Sequence, residues 1–96
     1  MSELHMKGYV LELLSASPMW DDELAAAVME EYGLAGDYWY GTVRLTLTDL
    51  YSSGLLDEVE TKVTTSDSGE EKLLFRFALN DFGRERMRQS GLAVAR

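Results

Sequence analysis

The sequence predicts an α+β fold, mostly α, built from three helices, a two-stranded β-hairpin and a short C-terminal helix. Apolar residues recur at three- and four-residue spacing through the first half of the chain. After Gly54 the spacing falls to two over a pair of segments separated by turn residues, and after Asn80 it becomes helical again. Pro18, Gly33, Gly54 and Gly91 stand where helices would have to stop.

Residues 3–16 form the first expected helix. Met6, Val10, Leu13 and Leu14 make its apolar stripe, with Glu3, Lys7 and Glu12 off it. Ser15-Ala16-Ser17-Pro18 ends it, because proline has no N–H for the ladder and drives Ser17 out of the helical region. A second helix is expected from about Asp22 to Tyr32. Asp21 is its N-cap, and Asp22 and Glu23 lie in the first turn, where the helix dipole favours acids. Leu24, Val28 and Tyr32 form the stripe, supported by Ala25 and Met29, and Gly33 is the stop. After Leu34-Ala35-Gly36, a third helix runs from Tyr38 or Tyr40 to Ser53, with Asp37 as candidate cap. Val43, Leu47 and Leu50 face inward, with Thr46 beside them. In the hairpin, Val59, Thr61 and Val63 alternate with Glu58, Glu60 and Lys62. Leu73, Phe75, Phe77 and Leu79 alternate with Leu74, Arg76 and Ala78, so one face is apolar. Thr65-Ser66-Asp67-Ser68-Gly69 is the turn. Asn80 caps the last helix, about Asp81 to Ser90, from which Phe82 and Met87 reach the core. Three helices followed by a hairpin is the layout of a winged helix-turn-helix. The second and third helices are the helix-turn-helix and the hairpin is the wing.

The chain has 96 residues, enough for one domain over 1–96 and not two. Cysteine is absent, which removes disulfides, thiolate zinc sites and cysteine nucleophiles together. The single histidine, His5, reads as a surface residue near the terminus. No Ser-His-Asp or zinc constellation can be assembled around the paired acids Asp21-Asp22-Glu23, Glu30-Glu31 and Glu70-Glu71, and no glycine-rich phosphate loop is present. The expectation is no enzyme, no catalytic residue, no cofactor and no metal. No stretch approaches the roughly 20 consecutive apolar residues of a membrane span. No basic region leads into a long apolar block either, so a cytoplasmic protein is expected, without membrane attachment.

Net charge is -8 and unevenly spread. Residues 1–57 hold ten acids against Lys7 and Arg44, whereas residues 58–96 hold seven of each sign. Nucleic-acid binders usually carry a basic face. The acidic front half therefore points either to another kind of partner or to a salty cytoplasm, where acidic surfaces are also seen.

The segment Gly41-Thr42-Val43-Arg44-Leu45-Thr46-Leu47-Thr48-Asp49-Leu50-Tyr51-Ser52-Ser53-Gly54-Leu55-Leu56 resembles the third-helix signature of PadR-like transcriptional regulators. That signature opens on Gly-Thr, carries leucines at core spacing and leaves into the wing through Gly-Leu-Leu or Gly-Leu-Ile. Arg76-Phe77-Ala78-Leu79-Asn80-Asp81-Phe82-Gly83-Arg84 is similar to the family's exit from the wing. The resemblance covers roughly residues 4–90. It differs at Arg44, where the family usually has an aromatic residue, at Leu45, often basic there, and in the short stretch left for the family's C-terminal dimerisation helix. The resemblance implies a winged-helix regulator binding duplex DNA. A homodimer would double the few bases available, with the first and last helices as its expected seam.

In that frame the third helix is the recognition helix and presents Tyr40, Thr42, Arg44 and Thr48, with Leu45 near them. Arg44 has the fork that matches a guanine edge, and Thr42 suits a phosphate or a thymine methyl. The plainer reading makes Thr42 a packing residue and Arg44 a solvated charge. Lys62 and Lys72, with Arg76, are the wing's candidate phosphate contacts, although Asp67, Glu70 and Glu71 stand at its tip. Arg84 and Arg88 share a face of the last helix, beside Arg86. They would clamp a phosphate or neutralise an acidic neighbour. Tyr38-Trp39-Tyr40 reads as an effector pocket or interface anchor, or as core packing with one ring exposed. Two functions follow. One is a DNA-binding transcriptional regulator. The other is an acidic winged-helix module that binds a basic protein through Trp39, Tyr38 and Leu45, covering that protein's nucleic-acid surface and binding no DNA itself.

Overall fold

The computed structural model describes residues 3–91, with side chains from Met6 onward, so the side chain of His5 lies outside the described residues. Four helices and three strands follow in the order α1 (Glu3–Ala16), β1 (Met19–Trp20), α2 (Asp21–Tyr32), α3 (Asp37–Ser52), β2 (Leu56–Thr65), β3 (Glu71–Leu79) and α4 (Asp81–Gln89). The strands form one antiparallel sheet in the order β1-β3-β2. This α+β arrangement is compatible with the winged helix expected from the sequence, with one strand more than the expected hairpin. The extra strand is the pair Met19–Trp20, opposite Phe77 and Arg76 of β3. Pro18 frees these two residues from α1, and two residues are too few to display an alternation.

The helix stripes bury largely as their spacing requires, except that Leu13, Met29 and Tyr32 are only half-buried and Leu11, off the expected stripe, is buried. Met6, Val10 and Leu14 of α1, Leu24, Ala25 and Val28 of α2, and Val43, Leu47 and Leu50 of α3 enter one core cluster. Leu56, Phe77, Leu79 and Met87 close it from the sheet and α4. Gly33 takes φ 65 after α2, the left-handed conformation that glycine adopts at no steric cost. At the start of α4 the Asn80 side chain accepts from the Gly83 N–H at 2.8 Å, as a cap should.

Two expected caps move by one residue. Trp20, not Asp21, is the N-cap of α2, and its N–H donates to Glu23 Oε1 at 3.0 Å. Asp21 is instead the first helical residue and is buried. Gly36 precedes α3, so Asp37 is that helix's first residue, and the helix begins before Tyr38. Its φ of 101 explains why a glycine stands there.

The hairpin departs most from its simple alternation. The register shifts between Glu58 and Glu60, which leaves Val59 as an extra, exposed residue. Val63 and Leu73 pair across the strands but lie exposed, because no described element covers that end of the ribbon. Leu74, on the supposedly polar face, is only 3% exposed. It shares that face with Lys62, whose ammonium sits 4.2 Å from the centre of the Trp20 ring. The unexpected strand β1 thus supplies the ring on the second face of the ribbon. Phe82, expected in the core, is 54% exposed, whereas Met87 is fully buried. Five residues, well over one turn, put the two on different sides of α4, and the helix turns its Gly83–Met87 side inward.

Candidate nucleic-acid interface

The sequence-predicted site divides between α3 and the β2–β3 hairpin, which lie side by side. Tyr51 of α3 and Phe77 of β3 meet edge-on, with ring centres 5.9 Å apart. A small cleft of about 60 Å³ opens beside them, lined by Asp21, Arg44, Leu47, Thr48, Phe75 and Phe77. Leu47 is buried there because it belongs to the core stripe of α3, one turn beyond Arg44. This spacing puts Arg44 at the junction of α2, α3 and the sheet.

Arg44 is held from α2. Its Nη2 lies 3.3 Å from Asp21 Oδ2, and the two side chains are 37% and 3% exposed. The other carboxylate oxygen, Oδ1, accepts from the Asp22 N–H at 2.8 Å. Asp21 therefore has one oxygen fixed by the start of its own helix, where backbone N–H groups favour an acid, and the other fixed on the arginine. No spacing in the sequence links residues 21 and 44, so this pairing was legible only once the helices were packed.

The other predicted residues also have internal partners. Thr42 Oγ1 donates to the Tyr38 carbonyl at 2.8 Å, and Thr48 Oγ1 to the Arg44 carbonyl at 3.1 Å. Lys72 Nζ donates to Tyr40 Oη and lies 4.4 Å from that ring's centre, which brings the hairpin onto the first turn of α3. Lys62 rests on Trp20. A cation over an aromatic face gains from the ring quadrupole and still has N–H groups directed elsewhere. Trp20 and Tyr40 were visible as aromatic residues, but their role as seats for the two lysines was not.

Of the remaining bases, Lys7 reaches the C-terminal part of α3, and Arg76, Arg84 and Arg88 belong to β3 and α4. Lys7 pairs with Asp49 at 2.7 Å, Arg76 with Glu60 at 3.2 Å, and Arg88 with Glu85 at 2.7 Å. Arg84 directs both terminal nitrogens at the Ser15 carbonyl at 3.5 Å, joining α4 to α1. The three arginines of α4 thus act separately. The outward side of α3 is apolar and acidic instead. Tyr38 and Leu45 are 73% and 72% exposed, and Trp39 is half-buried against the core with its ring 5.0 Å from that of Tyr38.

A second concavity lies on another side of the molecule. It is an open groove of about 880 Å³ between α1, the end of α3 and α4, lined among others by Tyr9, Leu11, Tyr32, Leu55, Phe82 and Arg86. Tyr9 and Tyr32 meet edge-on at 5.8 Å. Burial, reinforced by Glu31, Tyr32, Glu30 and Glu12, pushes the Tyr9 phenol above its ordinary value. Among the described residues no three His, Cys, Asp or Glu side chains gather into a metal-holding group, and no helix is long and apolar enough to cross a membrane.

Among solved structures, the chain is similar to a "putative transcriptional regulator" from Thermoplasma acidophilum, with a TM-score of 0.61 and 19% identity, over 88% of this chain and 75% of that one. At that identity the likeness speaks to the fold alone. No family model and no curated protein matches the chain.

Proposed function

We propose that the chain is a single winged-helix domain acting as a cytoplasmic, DNA-binding transcriptional regulator of the PadR-like kind. The observation that carries this reading is the corner where α2, α3 and the hairpin meet. There a half-exposed arginine in the N-terminal half of α3 stands beside a ribbon bearing two lysines with accessible ammonium groups. A helix-turn-helix lays the N-terminal part of its second helix against base edges. Arg44 suits a base edge, and Lys62 and Lys72 suit phosphates. Tyr40, Thr42 and Thr48 shape the same surface. Few bases per chain favour a dimer, and α1 with α4 is the proposed seam. The test is a salt series on a labelled duplex. Lys62→Ala and Lys72→Ala each flatten the slope of log affinity against log salt by about 1 on this account. Slopes unchanged in both variants would remove the hairpin from the interface.

One observation favours a second reading, an acidic module that binds a basic protein. Among the large apolar side chains of α3, Tyr38 and Leu45 are the most exposed, and the acids Asp37 and Asp49 flank them, the latter paired with Lys7. Trp39, Tyr38 and Leu45 would be the anchors. A complex with a basic protein that is lost on Leu45→Glu and Trp39→Ala, together with absence of DNA binding, would favour this reading over the first.

A further inference from the structure

We infer that Asp21 is the positioning residue that makes Arg44 a guanine-reading side chain; this rests on the DNA-binding reading above. The carboxylate is nearly inaccessible, and both of its oxygens are engaged: Oδ1 by the Asp22 N–H at 2.8 Å and Oδ2 by Arg44 Nη2 at 3.3 Å. It is anchored at the first residue of α2, so it moves only if that helix moves. The arginine is the mobile partner, a long side chain that is 37% exposed. Binding one nitrogen to a fixed acceptor removes most of its rotamers. The guanidinium has five donors in a rigid fork, and it lines the cleft between α3 and β3 while staying partly open to solvent.

Stability alone explains this pair poorly. Burying a carboxylate incurs a desolvation penalty that the ion pair barely offsets, and apolar residues of similar size commonly serve better. The surroundings here are already apolar, with Leu47, Phe75 and Phe77 lining the same cleft. What the pair does supply is orientation. A guanine edge offers two acceptors to a planar fork, and the match depends on the fork being held in one plane. Lysine at the same position would keep the charge and lose the match. Asp21 and Arg44 therefore divide the work: the arginine touches the base, and the aspartate sets its angle.

The experiment begins by enriching short duplexes from a random library with the wild-type protein. Each guanine of the enriched duplex is then replaced in turn by an analogue with carbon at the N7 position. Wild type, Asp21→Asn and Arg44→Lys are compared on this set, with circular dichroism to verify folding. The expected result is one position at which the analogue weakens wild-type binding about tenfold, and at which both variants are indifferent. Their salt slopes stay near the wild-type value, because the phosphate contacts are intact. A merely structural Asp21 would lower affinity for all duplexes equally and leave the guanine dependence in place. That outcome, or an Arg44→Lys variant that keeps the dependence, overturns the inference while the regulator reading stands. If the wild type enriches no duplex at low salt, the regulator reading falls and this inference falls with it.

Discussion

Asp21 combines two roles that pull on its stability in opposite directions. Its burial costs solvation, while the helix start and Arg44 return electrostatic and hydrogen-bond energy. Removing only the acid leaves the arginine without its partner, so Asp21→Ala is expected to lower unfolding free energy by about 1–3 kcal/mol in denaturant titrations. Arg44→Met removes the more exposed member but strands a buried carboxylate, and is expected to cost a similar amount. A variant as stable as wild type in both cases would mean that the pair is not formed in solution. Tyr9 gives a pH-dependent prediction. Its phenol is raised above 10.0, chiefly by burial. The folded state then holds the proton more tightly than the unfolded chain. Its contribution is therefore constant below the unfolded value and is lost as pH rises past 10.0 towards the folded one. Phenolate absorbance should show a late-titrating component that is absent in Tyr9→Phe. At this scale the sequence was a partial guide. It singled out Arg44, but it assigned Asp21 to capping, because capping is a local pattern and an ion pair across 23 positions is not.

Among the elements, α4 shows how tightly the end of the sheet is closed. A Cβ on Gly83 would lie 2.4 Å from the Leu55 carbonyl oxygen and 2.5 Å from Leu79 Cδ1. In an open helix, glycine to alanine stabilises by about 0.5–1 kcal/mol. Here the contact is with backbone, so the sign reverses, and Gly83→Ala is expected to destabilise by about 1–3 kcal/mol. Met87, fully buried in the same helix, is expected to lose about 2–5 kcal/mol on truncation to alanine. A thermal melt of each variant checks both, and a raised melting temperature for Gly83→Ala would contradict the close approach. The first three helices were legible, since a three- and four-residue repeat over 12 to 16 positions has few alternatives. The ribbon was less so. A bulge at Val59 breaks the simple alternation, and the arrival of Trp20 on the second face depends on β1, whose two residues carry no period of their own. Phe82 was misread for a related reason. An apolar residue in a short helix is consistent with either side until the neighbouring strand fixes which side is inward.

For the molecule as a whole, charge is the dominant property. Ten acids against two bases in residues 1–57 repel one another across a small body. Moderate salt screens that repulsion, because the Debye length falls from about 30 Å at 0.01 M to about 10 Å at 0.1 M. The melting temperature is therefore expected to rise over this range, whereas a fall would mean that the ion pairs outweigh the repulsion. The same imbalance repels DNA, so the few cations near α3 must act against it. Only a few cations lie beside α3, and each already has an internal partner. Composition made that tension visible from the start, and the element order made the fold visible. Neither fixed where the lysines would sit, because that depended on the rings of Trp20 and Tyr40. The most direct measurement of the central claim is a titration of the protein with random-sequence duplex DNA at about 50 mM salt, with Arg44→Ala in parallel. The regulator account predicts binding that weakens as salt is raised and weakens again in the variant. Absence of binding, or equal binding by Arg44→Ala, would contradict it.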